Sequence, residues 1–217
     1  MADIFQEVDE EVRRERLHKL WQRYGAYVIA ACVLVIAVVA AWRGYEWWET
    51  KKAIAAGAAF EQAVALAEAG KHQEAEAAFA KLAADGTAGY RLLARLREAA
   101  ELGRADRKAA IKAYEDIAVD RSVGQVIQDL ATLRAGLLLV DGASYGDLRA
   151  RIEPLTGRDR AFRHSARELL ALSAWKDGDL GAARQWTDMI MTDPQTPSAA
   201  RSRAEVLSEL IAASGKG

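Results

Sequence analysis

From Tyr24 to Trp42 the chain is one unbroken apolar run, with no charge, no proline and no strongly polar side chain. As a helix it would reach about 28 Å, close to the ~30 Å hydrocarbon thickness of a bilayer. Arg23 and Arg43 close its ends; Trp21, Tyr24 and Tyr27 mark one flank, and Trp42, Tyr45, Trp47 and Trp48 the other. Amphipathic rings concentrate in this way at the headgroup level of a membrane. The run therefore predicts a transmembrane helix, with a buried core helix as the alternative. After residue 53 the pattern changes. Alanine and leucine dominate, while Val, Ile and Thr are too scattered for alternating strands. Short breaks at Ala69-Gly70, Asp85-Gly86, Asp141-Gly142 and Asp177-Gly178-Asp179 separate helical stretches, and short links between helices imply antiparallel neighbours. The predicted fold class is all-α.

The helices repeat. Ala75-x-x-x-Phe79 follows Gly70 by five residues, Ala110-x-x-x-Tyr114 recurs 35 residues later, and Ala182-x-x-x-Trp186 comes again with Pro194 eight residues beyond the tryptophan. Leu148 and Ile152 occupy the matching positions of a degenerate copy between them. A period near 34, an alanine one helical turn before an aromatic, and a closing proline resemble the tetratricopeptide pattern. The alanine lets the two helices of a hairpin approach, and the aromatic fills the gap to the next hairpin. A generic alanine-rich bundle is the alternative. Ala199 to Ala213 would cap the stack.

These patterns divide the chain into a tail (1–23), a transmembrane helix (24–42), a stalk (43–57) and a tetratricopeptide-like helical-hairpin solenoid with a capping helix (58–217). Beyond the apolar run only Gly44 and Gly57 interrupt the stretch as far as Ala69, so the membrane helix is expected to run on into the first repeat. In the tail, Ile4, Val8 and Val12 recur at helical spacing among acids, as a short amphipathic helix that docks a partner or frays. Arg13, Arg14, Arg16, Lys19 and Arg23 precede the run, against Arg43, Lys51 and Lys52 after it. The positive-inside rule keeps the tail cytoplasmic and sends the repeats across the membrane. A signal peptide cleaved near Val39-Ala40-Ala41 is the competitor, but the run is longer than the usual signal-peptide core.

Net charge is −1, shared evenly along the chain, so no basic half attracts nucleic acid. The single cysteine, Cys32, lies in the apolar run, which excludes an intramolecular disulfide. His18, His72 and His164 are far apart and lack the spacing of a zinc site; no phosphate-loop or dinucleotide fingerprint is present. No cofactor, metal or small-molecule substrate is expected. One catalytic match exists. Gly142-Ala143-Ser144-Tyr145-Gly146 fits the G-x-S-x-G nucleophile elbow, with Leu137–Val140 as its strand and His164 downstream. That elbow needs a parallel sheet the pattern does not supply, so Ser144 is expected to be a turn hydroxyl and the protein no enzyme.

The repeat register selects one binding surface. Tetratricopeptide arrays line a groove with the first helix of each hairpin, and alignment of the copies places Arg95, Arg134, His164 and Arg167 there. Guanidinium groups in a groove suit carboxylates or acidic peptides. The alternative is that each arginine pairs with an acid such as Glu98 or Glu168.

The acidic tail, the anchor, Trp42-Arg43-Gly44-Tyr45-Glu46-Trp47-Trp48 after it, Ala174-Trp175-Lys176-Asp177-Gly178-Asp179 in the last repeat and Asp193-Pro194-Gln195-Thr196-Pro197 before the cap are similar to the YfgM-type ancillary subunit of the bacterial Sec translocon. The resemblance covers essentially the whole chain, through loose, mostly architectural motifs. It implies a single-pass bacterial inner-membrane protein, with a cytoplasmic N-terminus and a periplasmic domain, associated with SecYEG and periplasmic chaperones and without catalysis. The function it implies is a non-enzymatic scaffold recruiting protein partners at the exit side of the translocon. A scaffold for another envelope machine, such as cell division or outer-membrane assembly, is the alternative.

Overall fold

The computed structural model describes the backbone of residues 3–214, and the side chains of His18 and of residues 21–214. The proposed amphipathic face of Ile4, Val8 and Val12 lies outside the described side chains. Among the described residues the chain is helical and without strands: α1 (Asp3–Glu68), α2 (His72–Asp85), α3 (Ala88–Ala105), α4 (Arg107–Ala118), α5 (Gln125–Leu139), α6 (Tyr145–Ile152), α7 (Arg163–Lys176), α8 (Leu180–Met191) and α9 (Ser198–Ser214), with short 3-10 turns at Arg121–Val123 and Glu153–Thr156. The all-α expectation is met.

The chain forms two compact units, Met1–Ile54 and Ala55–Gly217. Among its described residues the first is helix alone. The side chains of its apolar run are left uncovered: Tyr27, Ile36 and Trp42 are 74%, 67% and 73% exposed. A run of this length and composition, with no protein packed over it, can cross a membrane. Gly25 is the buried exception, because the Trp21 ring lies across it. Beyond the run, Lys51 and Lys52 place their ammonium groups over the rings of Trp47 and Trp48, at 4.0 and 3.4 Å from the centroids.

The second unit uses the same residue types in the opposite way. The end of α1 pairs with α2, α3 with α4, α5 with α6 and α7 with α8, and α9 packs on the last pair. Ala75 and Phe79, Ala110 and Tyr114, and Leu148 and Ile152 are all buried, as their register requires. In the last copy Trp186 is buried as its register requires, but the buried alanine is Ala183, with Ala182 only partly covered. The cause is local. Asp179 caps α8 by accepting from the Ala182 amide, and the buried face then runs through Ala183, Trp186, Thr187 and Ile190.

The turns of the first and last hairpins are built alike. Gly70 (φ 76°) and Gly178 (φ 82°) take the left-handed conformation that a side chain disfavours. In each, the residue after the glycine donates back to a helical carbonyl, Lys71 to Leu66 at 3.0 Å and Asp179 to Ala174 at 2.9 Å. This closes helix ends whose last carbonyls would otherwise lack donors.

Candidate functional site

All four candidate residues lie on first helices of their hairpins: Arg95 on α3, Arg134 on α5, His164 and Arg167 on α7. Their surroundings differ. Arg95 donates to Asp120 at 2.7 Å, across to the acid that caps the turn Arg121–Val123. The Ser122 hydroxyl and then Arg95 hold the Asp120 carboxyl down at about 2. Arg95 thus ties one hairpin to the next link, and its partner is neither Glu98 nor another acid of its own helix.

Arg167 is 5% exposed and committed to the fold. It donates to the Thr156 carbonyl at 2.9 Å, the Met189 carbonyl at 3.1 Å and Asp193 Oδ2 at 3.1 Å. His164 Nε2 lies 3.1 Å from the same oxygen, and Arg163 Nε reaches it at 3.0 Å. Asp193 Oδ1 accepts from the Gln195 amide at 3.0 Å. Arg163 first, then that amide, His164 and Arg167, hold the Asp193 carboxyl well below the ordinary aspartate value. Arg201 on α9 completes the arrangement by donating to the carbonyls of Met191 and Asp193. Glu168 is occupied by Arg203 of α9, not by Arg167.

Around this cluster lies a cleft of about 540 Å³, lined by Arg158, Arg163, Arg167, Met189 and the segment Thr192–Gln195. Arg134 lines a different cleft, of about 370 Å³, between α5 and α7, whose walls include Leu133, Leu137, Phe162 and Leu172. Arg134 is exposed and makes no hydrogen bond or ion pair among the described residues. Its charge also lies close enough to Tyr114 to oppose the upward pull of burial on that phenol. The four candidates therefore divide: His164 and Arg167 share one acid, Arg95 is paired elsewhere, and Arg134 alone stands open beside an apolar wall. Arg163 and Asp193, the centre of the polar cluster, escaped the repeat alignment. The acid sits in an inter-helix loop, outside any helical register.

The G-x-S-x-G match resolves into helix capping. Leu137–Leu139 belongs to α5, and Val140 follows it at the helix end, so the segment is no strand. Ser144 is the N-cap of α6: its Oγ accepts from the Asp147 amide at 3.2 Å and donates to the Asp147 carboxylate at 2.7 Å. The histidines are separately engaged, His18 beside Gln22, His72 on Glu101 at 2.8 Å and His164 on Asp193. No group of three metal-ligating side chains occurs among the described residues.

Comparison with curated proteins and with solved structures brings no match. The profile of the tetratricopeptide repeat-like domain matches residues 18–192. The match starts ahead of the apolar run and ends just past α8, so it takes in the run and all four hairpins. With the paired helices, the buried alanine–aromatic contacts and a match over most of its length, the chain belongs to the tetratricopeptide repeat-like domain family.

Proposed function

We propose that this protein is a membrane-anchored, non-enzymatic scaffold that recruits protein partners at the periplasmic side of the Sec translocon, with SecYEG and periplasmic chaperones as its partners. Tetratricopeptide-like domains typically act as protein-interaction scaffolds without catalysis, and that coarser function follows from the family. The observation that carries the finer proposal is that the exposed apolar helix lies inside the family match. An apolar helix inside the matched domain supports an anchor that the protein keeps over a leader that is removed. The resemblance of the Trp-rich exit and the last repeat to the YfgM-type subunit supplies the translocon, the bacterial inner membrane and the periplasmic orientation.

Tethering supplies the mechanism. Confining the repeat domain to one membrane raises its effective concentration for partners held there, so individually weak contacts suffice. Crosslinking and affinity capture of the full chain from native membranes should co-purify Sec subunits; consistent capture of a different envelope machine would replace the translocon in this reading. A reporter fused after Gly217 that is active only outside the cytoplasm should be active. Activity of a cytoplasm-restricted reporter at the same position would reverse the orientation.

A further inference from the structure

The last hairpin carries more positive charge than its fold uses, and we propose that the cleft beside Asp193 binds a carboxylate of an acidic segment in a partner protein. The proposal rests on the scaffold function above and names one of its docking sites. Arg158, Arg163 and Arg167 line the cleft and Arg201 stands at its back, against the single carboxylate of Asp193. Asp193 Oδ2 already receives Arg163, His164 and Arg167, so one internal anion is shared among several cations. The other acid of the preceding loop, Asp159, points its charge toward Arg160 at 4.0 Å and is 85% exposed.

Two donors remain for a ligand, and a third cation stands behind them. Arg158 is exposed and holds no hydrogen-bond or ion-pair partner among the described residues, so the fold does not need its guanidinium. Arg163 directs Nη2 to the neutral amide oxygen of Gln195 at 2.6 Å, a contact that a carboxylate can replace with a stronger, charge-assisted one. Behind them Arg167, which is nine-tenths buried, has an Nε with no partner among the described residues. A buried donor left unmet costs stability unless something compensates, and a negative charge in the cleft improves the environment of the whole cation cluster. Among the other lining residues, Met189 and Pro194 are apolar and suit the aliphatic stem of a glutamate. A volume of about 540 Å³ accommodates one or two side chains with their backbone, within the usual range of ligand pockets.

Planar guanidinium pairs favour bidentate carboxylates, but inorganic phosphate presents related chemistry, and the test must separate them. Full-length chain in detergent micelles is titrated with a fluorescein-labelled hexaglutamate peptide, with a matched hexaglutamine peptide and with inorganic phosphate as competitor. The hexaglutamate peptide should bind with an affinity that falls steeply with salt, and the hexaglutamine peptide at least tenfold more weakly. Arg158→Glu should weaken hexaglutamate binding at least fivefold at an unchanged melting temperature, and Arg158→Lys should retain most of it. Equal binding of the two peptides, or normal binding by Arg158→Glu, would overturn the proposal. So would complete displacement of the peptide by millimolar phosphate, which would mark a simple anion sink. The peptide titration stands apart from membrane capture: capture of Sec subunits alongside normal hexaglutamate binding by Arg158→Glu would leave the scaffold standing and remove this cleft.

Discussion

The first and last hairpins of the repeat domain share the same turn but are closed by different chemistry. In the first, Ala63, Ala75 and Phe79 are fully buried, and the Phe79 ring packs 5.5 Å from Phe60, which in turn lies 5.9 Å from Tyr90. Small residues bring the helices together, an aromatic cluster fills the gap, and the end of α2 is finished by the Gly86 amide donating to Leu82. In the last, a comparable apolar core of Leu169, Leu170, Trp186 and Ile190 is supplemented by arginines. Arg167 and Arg201 supply donors to the carbonyls of Met189 and Met191, at the end of α8 where intrahelical donors run out. The loop that leaves α8 is thereby fixed by charged side chains from two other helices. An end closed by glycine and apolar packing leaves no surplus charge. One closed by arginines concentrates cations, and concentrated cations can serve a ligand as well as a fold.

The sharpest way to break this comparison is in the first hairpin. Phe79→Ala should cost about 3–5 kcal/mol, because it removes a fully buried ring on which Phe60 rests and leaves a cavity among alanines that cannot close it. Chemical denaturation of the full chain in micelles, followed by circular dichroism, measures the loss. A change below about 1 kcal/mol would mean that the aromatic cluster is not what holds this hairpin.

Asp193→Asn tests the other end, with a smaller loss and a distinctive dependence on pH. The carboxyl is held below its ordinary value of 3.8 by Arg163 and its other donors. A depressed folded-state value stabilises the fold fully above the unfolded value, and that stabilisation disappears as pH falls below about 4. The wild-type chain should therefore melt higher than the variant at pH 7, with the gap narrowing below pH 4. A gap independent of pH would show that Asp193 acts through shape alone. The Asp120 carboxyl, held at about 2, follows the same sign, so acid should also loosen the Arg95 link.

These two ends also show how much of the molecule could be read from its sequence. Alanine–aromatic spacing located the buried faces of α2 and α4, because helical period maps directly onto burial. At α8 it placed Trp186 correctly but chose Ala182 where Ala183 is the fully buried alanine, because the Asp179 cap sets the helix phase there. The arginine register found Arg167 and His164 but not what they bind. Asp193 lies 26 and 29 residues from them, in a loop that no periodicity reaches. Glu98 and Glu168 were plausible partners by proximity in sequence. The actual partners come from neighbouring elements, since ion pairs follow three-dimensional packing. The G-x-S-x-G match fell for the same reason: the motif specifies residues, while its chemistry requires a strand before it.

Ser144→Ala should cost about 1 kcal/mol, the usual worth of an N-cap, because Ser144 accepts from the Asp147 amide at the start of α6. The turn hydroxyl expected from sequence would have predicted no loss. Labelling of Ser144 by a serine-reactive fluorophosphonate, abolished in this variant, would contradict its assignment as a cap.

The smallest expected effect on stability is at Arg134. It is exposed and unpaired among the described residues, so Arg134→Ala should change the melting free energy by less than about 0.5 kcal/mol. Its position beside the apolar wall of Leu133, Leu137 and Leu172 gives it a different use. If that wall receives a partner segment, a carboxylate on the segment can pair with Arg134 in a partly dry setting, where truncating one member of a buried charge pair costs about 2 kcal/mol or more in binding. Arg134→Ala should then weaken capture of protein partners at least tenfold while circular dichroism and melting remain as in the wild type. Arg95→Ala is the contrast: it breaks the bond to Asp120, so stability should fall with it. Unchanged capture by Arg134→Ala would remove the α5–α7 cleft from the binding surface. Equal loss of stability in both variants would show that Arg134 supports the fold after all.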